Sequence, residues 1–409
     1  MSKKILIIGN TARVYSLAKK LGVNNEVFVA PGSPTIAEFA TNVDLRESSE
    51  LLEFVMENGI DLTIPVSMPD GIVELFNNNN QKIFAPSASA SKLIFDKALM
   101  KKVLYKLRIP TPKFGIFEKQ NMVTDYIKNL KNPFVIKLNE PSSAVVLTSQ
   151  KEAKTIVDSI FAQKVQKVLI EDYVWGTPFA FYTITDGYKA LPIGSSILYK
   201  HSLEGNGGQL TGGMGACVPN YKLSIDHEYF LMDNVIYPTL DYLEIEGNPY
   251  TGILGVHGMI TEDGTLQIFG YDCFMQDCDC SAILECLDAD LYSLMDACIV
   301  GSFSDEFEFI NQKDISAASL VLRCKNKENK ENIINGLDSL DEDTIISFAP
   351  SVIKNRYLEY EAQNGLVMVL TTFARTNSKS VDKAYEEAAN ISFDGIYYRK
   401  DICRPLIRM

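Results

Sequence analysis

A glycine-rich stretch near the middle of the chain places the tightest constraint on how it can fold. Six glycines lie within the eleven residues 205–215, and the stretch ends in Thr211-Gly212-Gly213-Met214-Gly215-Ala216. Each glycine inside a helix or strand would cost about 0.5–1 kcal/mol relative to alanine, so we expect a loop. The exposed amides of such a loop can bind an anion. The alternative is a flexible surface loop, which Met214 disfavours because a linker would carry Ser or Asn there.

The composition limits the possible partners. The chain has 409 residues and a formal net charge of -13, which disfavours nucleic acid as the main partner because no basic face is evident. No segment reaches about 18 uninterrupted apolar residues, so we expect no membrane span. The start, Met1-Ser2-Lys3-Lys4 and a short apolar run, lacks the features of a signal peptide. We therefore expect a cytoplasmic location and free thiols for the eight cysteines.

The first 86 residues alternate apolar runs with amphipathic stretches, a pattern typical of a doubly wound α/β domain. The ligand face of such a domain lies at the carboxyl ends of its strands, where the sequence has Gly9-Asn10, Pro31-Gly32 and residues 65–70. The predicted strands cover residues 4–10, 26–30, 61–65 and 82–85, and the predicted helices cover residues 13–21, 48–58 and 70–76.

The rest of the chain predicts two further regions. One helix over residues 92–107 ends before the stiff linker Ile109-Pro110-Thr111-Pro112. Strands are predicted at 134–137, 167–174, 251–260 and 266–271, and helices at 151–161 and 227–243. Beyond about residue 300 the pattern indicates a separate α+β block, with strands at 317–322, 344–348 and 366–372 and a helix at 381–389.

Charged residues at the ends of these elements suggest a nucleotide site. Lys97 and Lys137 would neutralise phosphates, and the backbone from Glu171 and Asp172 to Val174 would pair with an adenine edge. For both lysines the alternative is an ordinary solvated side chain. Lys137 is the better candidate, because an apolar strand points it at the ligand face.

Carboxylates follow a late predicted strand at Asp272, Asp277 and Asp279. Oxygen ligands of this kind suit Mg²⁺. Together with the lysines and the glycine stretch, this layout resembles that of ATP-grasp ligases. The resemblance implies that an acyl phosphate forms from a carboxylate and ATP, and that the acyl group then passes to an amine.

A closer resemblance is to the phosphoribosylamine–glycine ligase (glycinamide ribonucleotide synthetase) family, and it covers essentially the whole chain. The glycine motif at residues 211–216 and the tail Tyr398-Arg399-Lys400-Asp401-Ile402 are quite specific to that family. Further matching segments occur in the right order, namely Ile7-Ile8-Gly9-Asn10, Val27-Phe28-Val29-Ala30-Pro31-Gly32, Asp61-Leu62-Thr63-Ile64, Ile83-Phe84-Ala85-Pro86 and Tyr250-Thr251-Gly252.

The family resemblance implies a multidomain α/β and α+β fold. It implies a doubly wound pre-ATP-grasp domain over residues 1–86 and an ATP-grasp domain over 87–300, with a small mobile lid at about 108–175. A C-terminal α+β domain would cover 301–409. The implied reaction joins glycine to 5-phosphoribosylamine through a glycyl phosphate, with ATP and Mg²⁺ (or Mn²⁺). The partners would be these small molecules, with no nucleic acid or membrane, in a monomer or weak homodimer.

The resemblance also implies roles for individual residues. Lys137 and Asp277 would be catalytic, and Asp272 would bind metal. The nucleotide would contact Lys97, Lys137, Glu171, Asp172 and Val174. The phosphoribosylamine and glycine substrates would contact Gly9, Asn10, Arg13, Lys200, His201, Thr211, Gly212, Gly213, Met214 and Gly215.

The chain departs from the family pattern at the residues expected to activate the acid. The segment 138–146 has no glycine and no lysine, whereas family members carry a glycine-rich lid with a lysine. Gly270 replaces the first metal-binding glutamate, Asp272 replaces an asparagine, and Phe274 replaces an arginine. Three hypotheses follow: an active but divergent family member, which we favour; an ATP-grasp ligase with another acid or amine; and a non-catalytic nucleotide-binding relative.

Two other groups of residues receive structural interpretations. Cys273, Cys278, Cys280 and Cys286 lack the paired spacing of zinc sites, so we interpret them as buried thiols. His257 lies within a predicted strand and is interpreted as a packing residue.

Overall fold

The computed structural model describes residues 2–130, 133–139, 143–163, 167–325 and 332–404. Its N-terminal part contains a parallel sheet of four strands in the order β3-β2-β1-β4. Ile5, Leu6 and Ile7 of the inner strand β1 are fully buried, which explains the continuous apolar run. The strands are β1 Lys4–Gly9, β2 Glu26–Pro31, β3 Thr41–Asn42 and β4 Leu62–Pro65, and the helices are α1 Ala12–Leu21, α2 Ser48–Asn58 and α3 Ile72–Asn78.

The strand predicted at residues 82–85 is reduced to a single parallel bridge between Thr63 and Ile83. The helix predicted at 92–107 is also wrong, because two helices replace it, α4 Ala88–Phe95 and α5 Lys97–Lys106. Asp96 lies between them with an extended backbone, and its carboxylate accepts hydrogen bonds from the amides of Ala98 and Leu99. The break makes Lys97 the first residue of α5.

A second sheet is antiparallel and has the strand order β5-β8-β6-β7. Two helices pack against it around a core that includes Val123, Phe134 and Val157. The strands are β5 Phe114–Phe117, β6 Phe134–Leu138, β7 Ser143–Leu147 and β8 Val168–Asp172, and the helices are α6 Gln120–Lys128 and α7 Gln150–Ala162.

The first strands of the largest sheet in chain order are β9 and β10, which pair with each other in its interior. Its strands up to residue 300 are β9 Thr177–Thr185, β10 Ala190–Leu198, β13 Gly215–Val218, β14 Gly252–Ile260 and β15 Leu266–Asp272. Between β10 and β13 in the chain, β11 His201–Leu203 and β12 Gly207–Leu210 form a separate small hairpin. The helices are α8 Ile225–Leu231, α9 Tyr237–Ile245, α10 Cys280–Cys286 and α11 Leu291–Val300.

The C-terminal strands continue the same sheet, because β16 pairs with β13. The order in the described residues is β15-β14-β9-β10-β13-β16-β20-β17, with β21 beside β16. The remaining elements are α12 Phe303–Glu306, β16 Ser316–Cys324, β17 Ile345–Phe348, β18 Val352–Lys354, β19 Tyr360–Ala362, β20 Gly365–Ala374, α13 Asn377–Asn390 and β21 Ile396–Tyr397.

The glycine stretch is more regular than the predicted loop. Gly207 lies in β12 and Gly215 begins β13, so that only part of the stretch is a turn. A Cβ on Gly215 would come within 2.5 Å of the Ser319 carbonyl oxygen in the neighbouring strand β16. Glycine is needed there because the two backbones approach closely.

Two cysteines correct the expectation that every thiol is free. Cys217 of β13 and Cys403 of the C-terminal tail form a disulfide with their Cα atoms 6.1 Å apart. The fold brings this tail beside β13, where Ile402 lies against Gly215. The six other cysteines are free.

Within the described ranges, no helix combines the length and the apolar composition that crossing a membrane requires.

Candidate active site

A cleft of about 800 Å³ lies where the parallel sheet, the second sheet and the large sheet meet. It is lined on one side by the loop after β4, with Met68, Pro69 and Asp70. This is one of the strand ends that the sequence predicts as a ligand face. The facing side contributes charged side chains, namely Lys97, Lys137, Lys200, His257 and Asp272.

The start of α5 places Lys97 in the cleft. Its backbone amide donates to the Asn139 side-chain oxygen (3.0 Å), and its Nζ donates to the Leu138 carbonyl oxygen. Burial, together with the charge of neighbouring Lys137, lowers the pKa of Lys97 to about 8 against the opposing effect of Glu171 and Asp272. A bound polyphosphate would raise the pKa of Lys97 again, because its negative charge stabilises the ammonium form.

One helical turn further, Lys101 joins a buried lysine–glutamate cluster with Glu171 and Lys137. Glu171 lies 3.1 Å from the Lys101 Nζ and 2.8 Å from the Lys137 Nζ, and Lys101 and Glu171 are 0% and 2% exposed. Burial alone would raise the pKa of Glu171, but the two lysines hold it below its usual range. The cluster therefore carries one excess positive charge, and Lys137 is the member that lines the cleft.

Sequence reasoning missed Lys101, although its spacing of four residues from Lys97 on one helix was an available signal. The structure also gives the Glu171 carboxylate a role that the sequence did not suggest. Strand β8 pairs with β5 on one side and β6 on the other, so the Glu171 backbone belongs to the sheet. Its carboxylate faces the lysines, and the predicted pairing of its backbone with an adenine edge stays a prediction. The amide of Asp172 donates to the Lys113 carbonyl oxygen (2.9 Å), and Val174 follows the strand.

The carboxylate end of the cleft is formed by β14 and β15. Asp272 is in contact with the Nε2 atom of His257 and with the side-chain amide of Gln276. Burial would raise the pKa of Asp272, but His257, Lys200 and Arg13 together lower it, so the carboxylate is ionised. The interpretation of His257 as a packing residue is incomplete, because this histidine is buried and also lines the cleft.

The N-terminus of α1 is the positive end of the helix dipole. Its first turn contains no acidic residue, and Thr11 Oγ1 is buried without a hydrogen-bond partner. The buried Arg13 Nε makes no hydrogen bond but lies 4.0 Å from the Asp277 carboxylate. Arg13 Nη1 donates to the Met275 carbonyl oxygen (3.0 Å). Unpaired donors at the positive end of a helix suit an anionic ligand. Gly9 and Asn10 lie just before this helix in the chain. The Gly9 carbonyl oxygen accepts a hydrogen bond from the Gly32 amide.

Asp277 is placed at the same helix and not among the lysines. Its carboxylate accepts from the Arg13 amide (2.9 Å) and lies 4.0 Å from Arg13 Nε. It thus anchors the start of α1 to the segment between β15 and α10. The catalytic role assigned to Asp277 from the sequence stays a prediction.

The turn at residues 211–214 is held by its own hydrogen bonds. Thr211 donates to the Lys200 carbonyl oxygen through its amide (2.8 Å) and hydroxyl (2.9 Å), and its hydroxyl accepts from the Gly213 amide (3.0 Å). The space beside Gly212 is open, since a Cβ there would have no atom within 4 Å. The turn therefore presents backbone at Gly212.

Met214 has a structural role in this turn, and its predicted contact with substrate stays a prediction. Its side chain is fully buried in the core. Its amide donates to the Tyr199 carbonyl oxygen (2.7 Å), and its carbonyl oxygen accepts from the Val321 amide (3.1 Å). Met214 therefore anchors the turn through packing and backbone hydrogen bonds.

His201 lies in the hairpin beside this turn. Burial lowers its pKa, which disfavours the charged imidazole, and its predicted contact with substrate stays a prediction. The tail motif holds the hairpin in place. Arg399, 1% exposed, pairs with Asp401 (2.8 Å) and donates to the His201 carbonyl oxygen (2.9 Å), and Asp401 accepts from the Gly205 amide (2.9 Å).

No cluster of three or more His, Cys, Asp or Glu residues suited to a metal ion occurs in the described part of the chain. Within the cleft, Asp272 and His257 contact each other, and Asp70, Glu74 and Asp96 also contribute to its lining. Mg²⁺ is commonly held by one or two carboxylates and completed by substrate phosphates, so two protein ligands fit a nucleotide-bound ion.

Comparisons with known proteins match this architecture. Residues 3–93 match the family model for the phosphoribosylglycinamide synthetase N domain, and residues 95–280 match the model for the phosphoribosylglycinamide synthetase ATP-grasp (A) domain. The phosphoribosylamine–glycine ligase of Clostridium acetobutylicum is 30% identical over 98% of this chain and 99% of its own length. The enzyme of that name from Neisseria meningitidis serogroup B is 30% identical over 99% of each chain.

Solved structures agree on the fold. The phosphoribosylamine–glycine ligase of Thermotoga maritima superposes with a TM-score of 0.81 at 22% identity, covering 98% of this chain and 100% of that one. The biotin carboxylase domain of the Hydrogenobacter thermophilus 2-oxoglutarate carboxylase, in complex with MgADP and bicarbonate, gives a TM-score of 0.73 at 13% identity, covering 97% and 92%.

Proposed function

The chain belongs to the phosphoribosylglycinamide synthetase family, and from that premise we propose that it ligates glycine to 5-phosphoribosylamine. The reaction consumes ATP and gives glycinamide ribonucleotide, ADP and phosphate. We also propose the three domains 1–86, 87–300 and 301–409, although strands from both sides of residue 300 share one sheet.

One observation carries the proposal. A single cleft brings Lys97, Lys137 and Lys200 together with Asp272. The segment of residues 273–279 then connects Asp272 to the start of α1 through Asp277 and to the glycine turn through Cys278, whose thiol donates to the Gly212 carbonyl oxygen (3.7 Å). The three lysines that would bind a triphosphate thus lie near two possible sites for a smaller anion, the start of α1 and the glycine turn.

The first step requires that the glycine carboxylate attack the γ-phosphorus of ATP while the bond to ADP breaks. Lys97 and Lys137 would bind the phosphate oxygens and stabilise the charge that develops on them. The Glu171 carboxylate, 2.8 Å from the Lys137 Nζ, holds this side chain in position for the task. Asp272 and His257 would hold a divalent ion, Mg²⁺ or Mn²⁺, which when bound neutralises phosphate charge.

The second step requires that the amine of phosphoribosylamine attack the acyl carbon, lose a proton and displace phosphate. The α1 N-terminus, with Arg13 and the unpaired Thr11 hydroxyl, would bind the ribose phosphate. The Gly212 backbone would face the reacting groups. The segment with Glu140, Pro141 and Ser142, where family members carry a lid, lies outside the described residues.

A direct assay of ADP release tests the proposal. ADP should form only when ATP, glycine and freshly generated phosphoribosylamine are all present. A Lys137→Met variant should lose most of this activity, because it removes a phosphate contact. The matched control is Lys128→Met, which removes an exposed lysine on α6 of the same sheet region.

Other outcomes would replace the proposal. ADP release that ignores phosphoribosylamine or glycine would indicate an ATP-grasp ligase with another amine or acid. ADP at background in every mixture, with ATP binding intact by calorimetry, would indicate a non-catalytic nucleotide-binding relative.

A further inference from the structure

We propose that the divalent-ion site of this cleft is built from the His257 imidazole and the Asp272 carboxylate, and that it takes a first-row transition ion such as Mn²⁺ in preference to Mg²⁺. The inference rests on the proposed nucleotide site, and it specifies which cation that site selects.

The pairing of β14 with β15 places the His257 and Asp272 side chains on one face of the sheet, with a glycine opposite each. His257 lies directly opposite Gly270, and Gly255 lies directly opposite Asp272. Opposite residues and their diagonal neighbours share one face of an antiparallel pair. The four positions on this face therefore carry two glycines and two side chains, and the imidazole meets the carboxylate diagonally.

The two glycines keep the face clear of other ligands. A Cβ on Gly270 would lie 2.5 Å from the sulfur of Met100, and a Cβ on Gly255 would lie 2.7 Å from the ring of Tyr182. Apolar and aromatic groups thus cover both glycine positions. A carboxylate at residue 270 would have to displace Met100, so the nitrogen of His257 is the second ligand that this face offers.

The hydrogen bonding of His257 supports a ligand role. The side chain is 9% exposed, its Nε2 lies against the Asp272 carboxylate, and its Nδ1 is a buried atom without a hydrogen-bond partner. Buried polar atoms are normally satisfied, and exceptions cluster where an ion or ligand binds. The contact with Asp272 brings nitrogen and oxygen donors to one point beside the phosphate-binding lysines.

The donor types determine the cation. Mg²⁺ favours oxygen ligands in near-ideal octahedral geometry, whereas a mixed nitrogen and oxygen site binds first-row transition ions with an affinity that rises from Mn²⁺ towards Cu²⁺. An oxygen-only pair would favour Mg²⁺. Replacement of one oxygen ligand by the His257 nitrogen shifts the preference towards the transition ion.

Pulsed electron paramagnetic resonance of the full-length protein with Mn²⁺ and ADP tests this site without requiring turnover. The wild-type spectrum should contain the modulation of a directly bound ¹⁴N nucleus. A His257→Asn variant should lose that modulation, and its Mn²⁺-over-Mg²⁺ preference, measured by competition, should fall to the ratio for free ADP. The control is His227→Asn, which removes a half-buried histidine that contacts the Gly264 carbonyl oxygen and should leave both readouts unchanged.

A His257→Asp variant provides a second test, because it restores an oxygen-only pair and should increase Mg²⁺ competition against Mn²⁺. Absence of ¹⁴N modulation in the wild type, or equal ion preference in wild type and His257→Asn, would overturn the inference. A protonated His257 that pairs with Asp272 in place of an ion would give that result. Because neither glycine nor phosphoribosylamine is used, failure of the proposed function would leave this outcome unaffected.

Discussion

Lys97 shows how one residue couples local structure to ligand binding. Asp96 ends α4 and caps α5, which fixes Lys97 at the helix start beside Lys137. Because its pKa is about 8 in the free protein, below the usual 10.5, Lys97 loses its proton at a lower pH than an exposed lysine. Bound triphosphate raises the pKa again, so binding is linked to proton uptake above pH 8.

We therefore predict that ATP affinity is highest below about pH 8. It should fall by at most about tenfold per pH unit as the pH rises from the Lys97 pKa of the free protein towards the Lys97 pKa of the ATP complex. Titration calorimetry at several pH values measures this decline. Arginine remains charged throughout the range, so a Lys97→Arg variant should not show it. An identical decline in the Arg variant would mean that another group is responsible.

Two glycines of the central stretch make a matched pair. Gly215 faces backbone at 2.5 Å, whereas Gly212 faces open space. We predict that Gly215→Ala lowers the free energy of unfolding by about 1–3 kcal/mol through overpacking, and that Gly212→Ala leaves it unchanged but raises KM for phosphoribosylamine. Thermal unfolding and steady-state kinetics check both. The reverse assignment of the two effects would show that Gly212 is structural and not a ligand contact.

At the scale of elements, α5, β6 and β8 are joined through the buried lysine–glutamate cluster. We predict that Glu171→Gln lowers the free energy of unfolding by about 3–5 kcal/mol, because it leaves two lysines without their counter-charge. Lys101→Met should cost less, since Glu171 keeps Lys137. Urea unfolding followed by circular dichroism measures these changes.

The neighbouring residue supplies the control for this cluster. Asp172 ends the same strand and is partly exposed, so Asp172→Asn should have little effect on unfolding. Equal losses for Glu171→Gln and Asp172→Asn would show that the strand end, and not the buried charge pairing, accounts for the destabilisation.

The elements also show which features can be predicted from the sequence. Strand β1 and helix α2 follow from apolar runs and periodicity, because burial on the two faces is a local pattern. The break at Asp96 was missed, because a capping carboxylate competes with helix propensity over only a few residues. Lys101 and His257 were missed as site residues, since their partners, Glu171 and Asp272, come from distant segments or from strand register.

At the scale of the whole molecule, the site depends on three regions that are far apart in the sequence. The family motifs predicted the fold and the Lys97–Lys137–Asp272 grouping. They did not predict that the Arg399 tail would hold the hairpin or that Cys217 would pair with Cys403, because both depend on how the chain end folds back on β13.

The central claim is that this cleft activates glycine by transfer of a phosphoryl group to its carboxylate. The most direct test uses glycine labelled with ¹⁸O in the carboxylate, together with ATP and phosphoribosylamine, and mass spectrometry of the released phosphate. The account predicts that each phosphate carries one ¹⁸O atom from glycine. Unlabelled phosphate from a mixture that forms glycinamide ribonucleotide would contradict it.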